Sequence, residues 1–149
     1  MRALLIASSG GHLAQLAAIR AHWHDVDVHW VTFRKGDAAA QCGPDRVTWA
    51  HFPTTRNVRN ALRNLGLAVR MLRRDRPDVI VSDGAGVAVP FFVAARLYRI
   101  PTVYLEVFDR ITTPTLTGRL CYPITDEFLL QWPEQKLAYP AGQVVGRVY

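Results

Sequence analysis

An apolar run that breaks into a glycine pair and reopens as an amphipathic segment constrains this chain more than any other feature. Leu4-Leu5-Ile6-Ala7 reads as a buried strand and Ser8-Ser9-Gly10-Gly11 as a sharp turn. Leu13, Leu16, Ala17, Ile19 and Trp23 then fall at helical spacing. A strand that ends in glycines and feeds a helix opens a βαβ unit, and so points to a largely parallel sheet. The turn also carries chemistry. The free N–H groups of the first helical turn, and the positive end of its dipole, face back at Gly10 and Gly11 and make a seat for an anion. His12 sets a group that titrates near neutrality at that seat. It can act as a base, donate to an oxyanion, or simply face solvent. The segment is not a full dinucleotide fingerprint, because no third glycine follows at the required spacing and no P-loop lysine is present.

The rest of the sequence continues the alternation. Apolar stretches over residues 3–7, 26–33, 47–52, 79–82 and 102–106 alternate with helical patterns that begin at Leu13 and run over 57–74 and 87–98. The expectation is a single Rossmann-like α/β domain over residues 1–149, built on a mostly parallel sheet. Beyond Arg110 the chain reads as loop-rich, punctuated by Pro114, Pro123, Pro133 and Pro140, with a short helix or turn over 115–120. Ligands of such sheets bind at the carboxyl ends of the strands, which places residues 9–12, 83–86 and 106–110 on one rim. The second turn, Ser82-Asp83-Gly84-Ala85-Gly86, has the logic of the first, although Asp83 can instead cap the next helix while the glycines pack on the sheet. In the third segment Arg110 can grip a phosphate with two parallel hydrogen bonds. Glu106 can orient a polar substrate or pair with Arg110.

Charge narrows the partners. A formal net charge of +6 favours an anionic one: a phosphorylated substrate, an anionic membrane surface or nucleic acid. On a helix advancing about 100° per residue, Arg56, Arg59, Arg63, Arg70 and Arg74 share an arc of roughly 60°. Val58, Ala61, Leu62, Leu65, Ala68, Val69 and Leu72 occupy the opposite side and are expected in the core. Leu67 and Met71 flank the stripe. Arginines beside exposed apolar side chains suit an anionic membrane surface; the other reading is a plain solvated face. Nucleic acid is not expected, since no binding motif is present and no aromatics interleave with the stripe. No run of about twenty apolar residues occurs, so no spanning helix is expected. Cys42 and Cys121 stand apart from each other and from metal-ligand neighbours, so they read as reduced thiols and no metal site is expected. Gln131-Trp132 lies in an otherwise apolar segment, where a tryptophan belongs to the core or anchors a partner.

Several segments, taken in order, resemble a known family. They are Ala7-Ser8-Ser9-Gly10-Gly11-His12, Val31-Thr32-Phe33, Arg76-Pro77-Asp78-Val79-Ile80-Val81-Ser82, Gly84-Ala85-Gly86-Val87-Ala88-Val89-Pro90-Phe91, Leu116-Thr117-Gly118-Arg119-Leu120 and Gln131-Trp132. They are similar to the acceptor-side, membrane-recruiting subunit of split glycosyltransferases. That group includes the membrane subunit of the dolichol-pathway N-acetylglucosaminyltransferase and the PssD-type proteins of exopolysaccharide synthesis. The resemblance implies a fold like the N-terminal half of a GT-B enzyme such as MurG. It implies that this half holds a polyprenyl-pyrophosphate-linked acceptor while a second, donor-binding polypeptide brings the UDP-sugar. Under it, Ser9, Gly10, Gly11, Asp83, Gly84, Gly86, Glu106 and Arg110 hold the acceptor, and His12 takes the proton from its hydroxyl. Gln131 and Trp132 are expected at the partner interface. Arg59, Arg63, Leu67, Arg70, Met71 and Arg74 are expected on the membrane. The family often carries an N-terminal anchor, which is not expected here, so recruitment to the inner face of the cytoplasmic membrane would rest on the arginine stripe. No cofactor is expected. Val107, Asp109 and Asp83 depart from the residues usual in the family. The competing expectation is a stand-alone nucleotide- or phosphate-binding α/β domain.

Overall fold

A computed structural model describes residues 1–148. The strands β1 (Arg2–Ile6), β2 (Asp27–Thr32), β3 (Arg46–Trp49), β4 (Val79–Ser82), β5 (Thr102–Leu105), β6 (Glu127–Leu130) and β7 (Gln143–Val144) form one parallel sheet in the order 3-2-1-4-5-6-7. The helices α1 (Gly11–Arg20), α2 (Ala38–Cys42), α3 (Val58–Asp75), α4 (Ala88–Tyr98) and α5 (Leu116–Cys121) cover its faces. The Rossmann-like fold expected from the alternation is present.

Side-chain alternation along β1 feeds two cores. Leu4 and Ile6 point to one face, where Ala68 and Leu72 of α3 and Phe91 and Phe92 of α4 bury them. Ala3, Leu5 and Ala7 point to the other, against Leu13 and Leu16 of α1. A strand covered on both faces favours apolar side chains at successive positions, which is why β1 reads as an apolar run from Ala3 to Ile6.

The structure departs from the sequence reading at the C-terminal end. The region read as loops contains β6 and β7. β6 is four residues long, and its Phe128 and Leu130 enter the same core as Tyr104. Phe128 stacks on Tyr104 with ring centroids 4.8 Å apart. β7 has two residues, both exposed. Elements this short among prolines carry too few residues for a period to show.

A second correction concerns α3. Its buried residues are Asn60, Asn64, Ala68, Met71 and Leu72. Val58 and Leu62, expected in the core, are 74% and 64% exposed. The helix is rotated because the segment entering it needs polar partners. The Asn64 side chain accepts from the His51 N–H at 2.8 Å and donates to the His51 carbonyl at 2.9 Å. Asn60 donates to the Pro53 carbonyl at 2.9 Å, and the Asn57 side chain caps the helix by accepting from the Asn60 N–H. Buried backbone groups have to be paired, and here two amides inside the helix face do it.

Cys42 and Cys121 are buried and unpaired, and burial pushes their thiols up to about 11 and about 12. Among the described residues no helix is long and apolar enough to cross a membrane, and no group of three or more His, Cys, Asp or Glu side chains could hold a metal ion.

Candidate active site

The chain winds away from β1 and β4 in opposite directions. α1, which follows β1, packs on one face of the sheet, and α4, which follows β4, packs on the other. Such a switch point leaves a crevice at the carboxyl ends of the two strands. Here the crevice is a cleft of about 500 Å³ lined by Gly11, His12, Gln15, Asp83, Val107, Phe108 and Asp109. The turns after β1 and β4 therefore meet in one place, as expected.

Backbone geometry explains both turns. Gly10 has φ 86° and precedes α1 without any side-chain cap, so the first N–H groups of the helix stay uncommitted. The space where a Cβ would stand at Gly10 or Gly11 is open, which leaves room for a ligand. Gly84 differs. It has φ 113°, and a Cβ there would lie 2.8 Å from the Tyr104 hydroxyl. Ser82 ties the turn to the neighbouring strand, donating to the Ile6 carbonyl at 2.7 Å and accepting from the Gly84 N–H at 3.1 Å.

His12 and Asp83 form the reactive pair. His12 Nδ1 lies 3.1 Å from the Asp83 carbonyl oxygen and 3.4 Å from its Oδ1. Both are acceptors, so Nδ1 carries the proton and Nε2 keeps its lone pair. The His12 side chain is 29% exposed and that of Asp83 is fully buried. Neither Asp83 carboxylate oxygen accepts a hydrogen bond. Burial pushes the Asp83 carboxyl up to about 6, against the pull of His12. For His12, burial pushes down, but the Asp83 carboxylate, the Asp83 carbonyl and the more distant Asp109 together raise it above its ordinary value. Asp83 does not cap α4, whose N-cap is Val87 with no side-chain bond.

Other expected site residues are placed differently. Ser9 is half-buried at the first turn, with its carbonyl accepting from the Ser8 hydroxyl at 3.4 Å. Gly86 faces the segment before α3, where a Cβ would sit 3.0 Å from Thr54 Cβ, so its smallness serves packing. Glu106 is buried beneath the rim. Its carboxylate accepts from the Val107 N–H at 3.0 Å and from the Thr115 hydroxyl at 3.2 Å, so it holds the following loop instead of opening into the cleft. Arg110 is exposed and does not line the cleft, and it makes no ion pair with Glu106.

Gln131, expected at a partner interface, is 2% exposed. With its neighbours it straps the cleft loop from below. Gln131 Nε2 donates to the Glu106 carbonyl at 2.9 Å, and Gln135 Nε2 donates to the Val107 and Arg110 carbonyls, both at 3.0 Å. Trp132 is half-buried. Its Nε1 donates to the Phe108 carbonyl at 2.6 Å, and the Arg147 guanidinium lies over its ring at 5.3 Å. Sequence reasoning missed Gln15 altogether, and placed Asp109 on the rim and Ser82 in the second turn without giving either a role. Gln15 had a signal, since it stands three residues after His12 and so on the same helix face.

The expected membrane surface also shifts. Arg59, Arg63, Arg70 and Arg74 are exposed, but Met71 is buried and Leu67 packs against the core. Arg74 is paired with Asp75 at 2.9 Å, whereas Arg59, Arg63 and Arg70 make no ion pair among the described residues. The apolar residues that accompany the stripe lie on its other flank. Val58 and Leu62 form one wall of a groove of about 650 Å³, with Val89 and Val93 of α4, Leu116 and Leu120 of α5, and Arg56 at its edge.

A doubly wound half with its cleft at the switch point is the fold of MurG, a structure from Acinetobacter baumannii that is 19% identical, with TM-score 0.77 over 97% of this chain and 45% of that one. Residues 45–148 match the family described as Oligosaccharide biosynthesis protein Alg14 like, and the chain belongs to that family. A human relative, "UDP-N-acetylglucosamine transferase subunit ALG14", is 30% identical over 65% of this chain and 47% of its own length. A relative from Geobacillus kaustophilus is 30% identical over 65% of this chain and 26% of its own length. It is named "UDP-N-acetylglucosamine--N-acetylmuramyl-(pentapeptide) pyrophosphoryl-undecaprenol N-acetylglucosamine transferase". The chain thus spans about half the human relative and a quarter of the Geobacillus one.

Proposed function

We propose that this chain is the acceptor-binding, membrane-recruited subunit of a two-polypeptide glycosyltransferase. It would move a sugar from a UDP-sugar to a polyprenyl-pyrophosphate-linked saccharide in exopolysaccharide or lipid-linked oligosaccharide synthesis. The observation that carries the reading is His12, with Nδ1 fixed on Asp83 and Nε2 free at an open cleft. In the proposed reaction Nε2 takes the proton of the acceptor hydroxyl as its oxygen forms the new bond to the anomeric carbon. The bond from that carbon to the UDP oxygen breaks, and the imidazolium that forms is stabilised by the Asp83 carboxylate. The partner polypeptide supplies the UDP-sugar; that the human relative is named a transferase subunit supports the existence of a second polypeptide.

Charge divides the acceptor between two places. Asp83 and Asp109 line the cleft and repel phosphate, so the saccharide belongs there. The uncapped start of α1 at Gly10 and Gly11, with open space beside it, suits the pyrophosphate. The apolar groove between α3, α4 and α5, with the unpaired arginines beside it, suits an anionic membrane on the cytoplasmic side.

The test is to co-express the chain with a candidate donor half and assay UDP-N-acetylglucosamine against polyprenyl-linked acceptors. His12→Asn should lower turnover by about 100-fold or more while leaving vesicle binding intact. Unchanged turnover by that variant would remove His12 as the base. Tight UDP-sugar binding by the isolated chain would favour a stand-alone nucleotide-binding domain instead.

A further inference from the structure

One hydrogen-bond donor at the cleft has no use inside the protein. Gln15 stands one helical turn after His12 on α1, is 2% exposed, and lines the cleft. Its Nε2 makes no hydrogen bond among the described residues. Native proteins leave few buried polar groups unpaired, and each one asks for an explanation.

Which atom of this amide is uncommitted is fixed by a relay that starts at the backbone. The Val148 N–H donates to Gln131 Oε1 at 3.1 Å, and Gln131 Nε2 donates to the Glu106 carbonyl at 2.9 Å. Flipping Gln131 would set donor against donor and acceptor against acceptor, so its orientation is settled. Gln131 Nε2 then also donates to Gln15 Oε1 at 3.3 Å. Flipping Gln15 would oppose two N–H groups. Its Oε1 is therefore committed to Gln131, and Nε2 is the atom left over.

We propose that Gln15 Nε2 donates to an oxygen of the acceptor saccharide beside the hydroxyl that His12 deprotonates, and so helps select which sugar enters the cleft. The proposal rests on the reading of this cleft as the acceptor site. Asp83 Oδ1 faces His12 Nδ1 at 3.4 Å, and Asp83 Oδ2, which accepts no hydrogen bond, supplies the complementary half. A donor and an acceptor together match a sugar with neighbouring oxygen substituents, which both gives and takes hydrogen bonds. A phosphate only accepts, and Asp83 would oppose it.

Gln15→Met keeps the side-chain length and removes the donor; it also removes the Oε1 that accepts from Gln131 Nε2, which keeps its bond to the Glu106 carbonyl. The probes are short-chain polyprenyl-diphosphate-linked saccharides, assayed as a panel with UDP-N-acetylglucosamine and the assembled complex, and the monodeoxy analogues of whichever saccharide the wild type turns over. The expected result is a five- to tenfold rise in acceptor KM in the variant, of the size that follows losing one hydrogen bond, with kcat and donor KM little changed. One deoxy analogue should show no further loss in the variant, because the partner oxygen is already gone. If the variant folds poorly, Gln15→Glu, which turns the uncommitted donor into an acceptor, should raise acceptor KM further on the same probes. If the wild-type complex turns over no saccharide of the panel, the acceptor reading falls and this assignment with it. If the wild type turns one over and the variant shows the same acceptor KM, or discriminates every analogue equally, the acceptor reading stands and Gln15 has no part in selection.

Discussion

Asparagine in place of Asp83 isolates the proton linkage of the cleft pair. Burial holds the Asp83 carboxyl at about 6 against an ordinary 3.8. A carboxyl whose folded pKa lies above its unfolded value keeps its proton more tightly when folded. Stability is then greatest below the unfolded value and falls as pH climbs through the window from about 4 to about 6. Roughly two pKa units at about 1.36 kcal/mol each make that loss about 3 kcal/mol. His12, raised above 6.5, acts in the same direction at higher pH: its contribution is present below 6.5 and is lost as pH passes its folded value. In the variant the amide does not titrate, and His12 keeps the burial that lowers it without the carboxylate that raises it. An unpaired buried amide has its own cost, but that cost does not vary with pH and cancels when only the pH dependence is compared. The assay is urea unfolding of both proteins from about pH 4 to pH 8, with the His12 ring protons followed by NMR. Between about pH 4 and pH 7 the wild type should lose at least about 3 kcal/mol more stability than the variant, since the His12 change adds to the Asp83 share. Parallel profiles would refute the linkage and the burial that causes it.

Two further outcomes are expected. Gly118→Ala would place a methyl against the Tyr139 hydroxyl and the Glu106 carboxylate, and 2.9 Å from Thr115 Oγ1. It should lower stability by about 1–3 kcal/mol in urea despite the better helix former, and equal or greater stability would show that the cluster under α5 has slack. Val58→Asp with Leu62→Asp should abolish binding to anionic vesicles without moving the urea midpoint, as should reversal of Arg59, Arg63 and Arg70 to glutamate, whereas Met71→Asp should unfold the protein. Retained vesicle binding by the first two variants would rule out this surface as the docking face.

The parts of the fold that could be read from the chain are those where one residue pattern serves one purpose. Residues 3–6 of β1 and 79–81 of β4 are apolar because both faces of these strands are covered, and the glycines after them mark turns whose meeting place follows from strand order alone. α3 shows why the remainder was hidden. Its apolar residues do form an arc, but Asn60 and Asn64 are drawn inward by carbonyl and N–H groups of residues 51–53, a demand from a distant segment that no periodicity records. Glu106 and Gln131 illustrate the same limit at the site. Their residue types suited ligand or partner contact, and only the three-dimensional arrangement shows that their hydrogen bonds are spent on the loop over residues 106–110. The His12–Asp83 pair lay within reach of sequence reasoning because each residue flanks a glycine at a strand end.

A helix that hides Asn60 and Asn64 and shows Val58 and Leu62 also bears on how the free chain behaves in solution. An open greasy trough with a positively charged edge will be filled by whatever amphiphile comes first, be it detergent, stray lipid or a sister molecule. If the groove is the membrane-docking face proposed above, the chain away from a membrane carries that exposed apolar surface into solution, where self-association is the expected consequence.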